Sequence, residues 1–176
     1  MPVLSPDRSL LLIIDVQEKL APAIEGGAAM IKTIQKLADA ADLLGIPVLA
    51  TEQYPKGLGP TVAELAGRPT ILKDSFDATA ADGFFAALPG ERPDILLAGC
   101  EAHVCVLQTA MGLRRAGRRT ILITDAVGSR KAADKAAALD RAAEEGVERV
   151  TAEMALFEWL QDRRHPRFRE ILALIR

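Results

Sequence analysis

Apolar residues along the chain fall into short continuous runs, separated by longer stretches in which they recur every third or fourth position. Runs at 9–15, 47–51, 94–98 and 119–124, rich in Leu, Ile and Val, predict strands, and weaker runs at 70–73 and 148–151 add two more. Continuity rather than alternation marks strands buried on both faces. Helical patterns cover 28–44, closed by Gly45 and Pro47, then 80–88, 103–116 closed by Gly117, and 131–145 closed by Gly146. Two further helical segments fall at 154–160 and 167–175. Strand and helix in alternation imply parallel pairing through right-handed crossovers. The expected fold is α/β, a three-layer αβα sandwich around a mostly parallel, Rossmann-like sheet of about six strands. A chain of 176 residues suits one domain, 1–176. No repeat or low-complexity linker interrupts it, and the Gly/Pro-rich stretch 54–60 reads as a long functional loop.

In such sheets ligands bind beyond the carboxyl ends of the strands, where strand order reverses. Asp15 ends the first apolar run, Lys73 ends the run at 70–72, and Cys105 follows the turn where 95–98 passes through Gly99 into a helix start. A thiol at a helix start feels its partial positive charge, so Cys105 is expected to have a lowered pKa. Singly, each residue has a plainer use: a cysteine packs as a small hydrophobe, a strand-end carboxylate caps a helix, a lysine solvates an edge. Three strand ends carrying reactive groups at once point to chemistry.

Charge narrows the partners. A net charge of −2 gives no global attraction to nucleic acid or an anionic membrane. The basic clusters Arg114, Arg115, Arg118 and Arg119, and Arg163 with Arg164, read as solvated faces. Two cysteines do not make a disulfide framework, no charged-then-apolar leader precedes the first strand, and no apolar stretch approaches the roughly eighteen residues of a membrane span. A cytoplasmic, non-membrane protein acting on a small molecule is the expectation.

Three motifs sharpen this: Ile-Ile-Asp15-Val-Gln, Leu-Lys73-Asp-Ser-Phe, and Gly-Cys100-Glu-Ala-His-Val-Cys105-Val. With them the chain resembles the isochorismatase-like cysteine hydrolases nearly end to end. Thr51-Glu52-Gln53-Tyr54-Pro55-Lys56-Gly57-Leu58-Gly59 and His165-Pro166-Arg167-Phe168 bring it closest to the isochorismatase-domain-containing branch. The resemblance implies a triad of Asp15, Lys73 and Cys105. Asp15 would accept the thiol proton, Lys73 would hold the charges together, and Cys105 would attack an acyl carbon to give a thioester. It also implies backbone N–H groups of Ala102 and Cys105 as oxyanion donors, and a cis peptide matching the Glu101–Ala102 bond. Gln17, Leu20, Tyr54 and Phe76, beside these motifs, are expected to line the substrate pocket.

Departures from other branches refine the expectation. The nicotinamidase branch holds a metal with Asp and His; here the matching stretch is Thr51-Glu52-Gln53-Tyr54 and the only histidines are His103 and His165, so neither metal nor cofactor is expected. Isochorismatases that cleave a vinyl ether need no thiol, so Cys105 favours an amide or carbamoyl C–N bond. Family members assemble, which implies a homo-oligomer, with Phe157 and Trp159 as candidate contacts. Cys100 reads as buried and inert, and His103 as structural. The alternative is a non-catalytic member that binds a small ligand or a partner. A dinucleotide enzyme would need G-x-G-x-x-G after the first strand, where Asp15-Val16-Gln17-Glu18-Lys19 stands, and a phosphatase of the haloacid-dehalogenase type would need an Asp in place of Gln17.

Overall fold

The structure, a computed structural model, describes residues 3–90 and 92–175. Six strands, β1 (Ser9–Ile14), β2 (Val48–Gln53), β3 (Thr70–Lys73), β4 (Asp94–Cys100), β5 (Arg119–Gly128) and β6 (Glu148–Val150), form one sheet in the order β3-β2-β1-β4-β5-β6. Every neighbouring pair is parallel. The strongest apolar runs became the centre: every residue of β1 and of β4 is buried. The weak runs became the edges, β3 and β6, where short strands with one open side need fewer apolar residues.

Alternate residues of the central strands feed two cores. Leu11, Ile13, Leu96, Ala98, Ile121 and Ile123 pack with α1 (Gly27–Leu44) and with α6 (Ala152–Leu160) and α7 (Phe168–Ile175). Leu10, Leu12, Ile14, Ile95, Leu97 and Leu122 pack on the other face with α4 (Leu107–Arg115) and α5 (Ala132–Glu144). Between β1 and β4 the backbones meet at Gly99, at φ +114°, where a Cβ would collide with the Ile14 carbonyl oxygen. Only glycine fits there.

Four expectations need correction. The 80–88 segment is a 3-10 turn, Ala78–Ala80, followed by the single-turn α3 (Phe84–Ala87), because Gly83 turns left-handed between them and Asp77 caps the first turn through the Thr79 N–H. The 103–116 helix begins as a π-helical turn, Ala102–Val106. Trp159 is no subunit contact: it is buried, its Nε1 donating to Ser9 Oγ at 2.9 Å, while Met154 and Phe157 face outward. Arg119 is no solvated charge. Its two guanidinium arms grip Glu148 at 2.7 Å each, and it bonds the wholly buried Asp94, which also accepts from Arg8. That network ties β4, β5 and β6 together at their amino ends. No helix among the described residues is long and apolar enough to cross a membrane.

Candidate active site

At the carboxyl ends of the strands, three chain-distant residues meet. Asp15 leaves the sheet directly after β1 at φ +50°, a left-handed conformation that a short polar side chain tolerates better than a branched one. Its carbonyl oxygen accepts the Gln17 N–H at 3.0 Å and the Cys100 thiol at 3.3 Å. Its carboxylate is wholly buried: Oδ1 accepts from Thr51 Oγ1 at 2.6 Å and Oδ2 from Lys73 Nζ at 2.7 Å. Lys73, the last residue of β3, also donates to Gln53 Oε1 at 2.7 Å and the Ser75 carbonyl at 3.2 Å. All three ammonium protons are therefore engaged, as burial of that charge requires.

Cys105 lies in the π-helical turn after β4, 6% exposed, near enough to Asp15 and Lys73 for both charges to act on its thiol. Burial, and next the Asp15 charge, push the thiol up to about 12, with Lys73 opposing only in part. This corrects the expectation of a lowered value. Loss of hydration and an adjacent carboxylate outweigh the helix terminus and the ammonium. Cys100 is buried too, and burial likewise raises its thiol.

The cis peptide joins Cys100 to Glu101, one bond earlier than expected. β4 runs through Cys100, so the turn begins at that bond and not after Glu101. The Glu101 carbonyl then accepts the N–H groups of Val104 and Val106, and its carboxylate takes both Arg130 N and Nε. Ala102 and Cys105 lie buried within the same turn. His103 Nδ1 is 3.0 Å from Ser129 Oγ.

A cleft of about 570 Å3 opens beside Lys73, walled by Tyr54, Lys56, Leu72, Asp74 and Asp82. Of the four expected pocket residues it gathers only Tyr54. That residue sits at φ +40° ahead of the short helix α2 (Pro55–Leu58), its ring lying where a Cβ on Gly57 would be. Phe76 is exposed outside the cleft lining, and Leu20 packs against the α1 core. Gln17 is wholly buried: Nε2 donates to the Gln53 and Gly59 carbonyls at 3.1 and 2.6 Å, and Oε1 accepts the Gln53 N–H at 2.9 Å. It latches the 54–60 segment to the turn after β1. Nearness in sequence to a motif placed these residues near the site but not which way they point.

Sequence reasoning missed Thr51, Gln53 and the Glu101–Arg130 pair. A signal for the first two existed: polar residues at alternate positions of β2 share one face, and register sets Thr51 beside Ile14 and Gln53 beside Lys73. Among the described residues no group of three or more His, Cys, Asp or Glu could hold a metal.

The family model described as the Isochorismatase domain matches residues 9–154. Isochorismatase domain-containing protein 1 of Danio rerio is 39% identical over 98% of this chain and 62% of its own length. Isochorismatase domain-containing protein 2 of the same fish is 38% identical over 98% of this chain and 89% of its own. A solved structure, the MAR1 ribonuclease from Caenorhabditis elegans, superposes with a TM-score of 0.92 at 35% identity, covering 98% of this chain and 92% of that one. These likenesses define an α/β protein of isochorismatase-like hydrolase fold. The chain belongs to the isochorismatase domain family, and it spans about 62% of the length of the first of these relatives.

Proposed function

We propose that this protein is a cysteine hydrolase that cleaves a small amide or carbamoyl C–N bond through a thioester on Cys105. The observation that carries the reading is the fully buried Lys73–Asp15 ion pair, 2.7 Å across, whose charges both act on the Cys105 thiol in the turn after β4. A thiol held up to about 12 stays protonated near neutrality, so the proton must leave as attack proceeds. Asp15 takes the thiol proton while Sγ bonds to the acyl carbon. The backbone N–H groups of Ala102 and Cys105 receive the oxyanion. The C–N bond breaks with return of the proton from Asp15 to the departing nitrogen, and water, giving a proton to Asp15, splits the thioester to the acid and the free thiol. Lys73 holds the Asp15 carboxyl in place as the proton comes and goes. Tyr54, on the wall of the cleft beside Lys73, is assigned to substrate binding, and a homo-oligomer belongs to the same reading, with Met154 and Phe157 outward on α6.

A second reading has its own support: a thiol 6% exposed and pushed up to about 12 suits a member that keeps the fold to bind rather than to cleave. The nematode relative is named a ribonuclease, but a net charge of −2 gives this chain no global attraction to a phosphate backbone. Ammonia release from nicotinamide, carbamoyl and short-chain amides, run with RNA cleavage alongside, separates the three. Turnover of an amide that vanishes in Cys105→Ala and Asp15→Asn supports the hydrolase. Inertness toward every amide, with Cys105 alkylated by iodoacetamide no faster than an ordinary thiol, favours the binding member.

A further inference from the structure

Thr51 touches the site without a part in the chemistry set out above. Parallel register places it beside Ile14, so it is the lateral neighbour of the point where Asp15 leaves the sheet. It holds Asp15 twice. Its carbonyl oxygen accepts the Asp15 N–H at 3.2 Å, and its hydroxyl donates to Asp15 Oδ1 at 2.6 Å. Thr51 is wholly enclosed, so water does not compete for that hydroxyl. Strand preference explains a β-branched residue here, but valine would meet it with the same shape. The hydroxyl needs a separate reason, and the carboxylate supplies it. With Lys73 on Oδ2, each oxygen has one fixed donor and keeps acceptor capacity for a proton from the thiol.

We infer that Thr51 is a positioning residue for Asp15, its hydroxyl fixing the carboxylate in the place from which it accepts the Cys105 thiol proton. This role rests on the cysteine-hydrolase reading. A hydrogen bond donated to a carboxylate favours ionisation, so removing the donor lets the carboxylate take up a proton at higher pH. Asp15 and Cys105 are reactive while they share one proton; a second proton, gained on acidification, leaves a neutral acid beside a neutral thiol. Without the Thr51 hydroxyl, the acid limb of Cys105 reactivity moves to higher pH.

The test is the rate of Cys105 alkylation by iodoacetamide from about pH 4 to 9, read by peptide mass spectrometry to separate Cys105 from Cys100. Wild type, Thr51→Val, Thr51→Ala, Thr51→Ser and Asp15→Asn are compared, with a thermal melt for each. The expected result is an acid limb raised by about one pH unit in the valine and alanine variants and unmoved in the serine variant. Valine keeps the shape and alanine leaves room, so either one, folded, suffices. Profiles coincident with wild type in folded variants overturn the role, as does failure of both to fold while serine folds, which would make the hydroxyl a purely structural bond. If wild type itself has no acid limb and Asp15→Asn reacts alike, the hydrolase reading falls first and this role with it.

Discussion

Asp15 and Lys73 illustrate how a buried pair can be necessary to a fold without being a source of its stability. Withdrawing both charges from water is costly, and removing one partner leaves the other uncompensated. Lys73→Met is expected to destabilise by about 3–5 kcal/mol in urea denaturation. Asp15→Asn combined with Lys73→Met should recover part of that loss, because the stranded charge is gone. A second expectation concerns pH. The folded thiol of Cys105 is raised to about 12, above the range of an unfolded cysteine. Its contribution to stability is therefore fully present below the unfolded value, about 8.5, and is lost as pH rises through about 12. Denaturation midpoints for wild type and Cys105→Ala should converge with increasing pH over that window. Steady separation across it would show that the thiol ionises as freely in the folded chain as in the unfolded one.

Among the elements, α4 does more than cover the sheet. Thr109, Gly112 and Arg115, three residues apart, lie along one face that holds the 77–80 turn: Thr109 Oγ1 accepts the Ala78 N–H at 2.9 Å, and Arg115 bonds the Asp77 carboxylate at 2.9 Å. A Cβ on Gly112 would collide with Thr79 Oγ1 and the Asp77 carboxylate. Gly112→Ala is thus expected to destabilise by about 1–3 kcal/mol despite the better helix propensity of alanine, measured by chemical denaturation. Stabilisation by the substitution would show that the turn moves aside freely. The same contacts explain why 80–88 is not one helix. Apolar spacing reports which residues are buried, and here burial comes from a turn pinned to α4, with Gly83 ending any continuous helix.

For the molecule as a whole, the parallel sheet sets an ion-pair network and the candidate site at opposite ends of its strands. Asp94, held by Arg8 and Arg119, closes the amino ends of the strands, while Asp15, Lys73 and Cys105 occupy the carboxyl ends. Asp94→Ala should cost about 1–3 kcal/mol by removing the buried acceptor that joins Arg8 to Arg119, which keeps Glu148, yet leave the pH profile of Cys105 alkylation unchanged. A displaced profile would mean that the two ends are coupled through the strands. The sequence by itself determined about six strands, their mostly parallel pairing and three residues at carboxyl ends, because continuous apolar runs report burial on both faces and topology then dictates where the ends meet. Only the tertiary structure decided what surrounds them. Whether Gln17 points into a cleft or latches a loop, whether Thr51 meets Asp15, and whether a thiol at a helix start is lowered or raised all depend on side chains brought together across the sheet. Pairing register, burial and neighbouring charge act over a few ångströms in space, and a linear pattern records none of them.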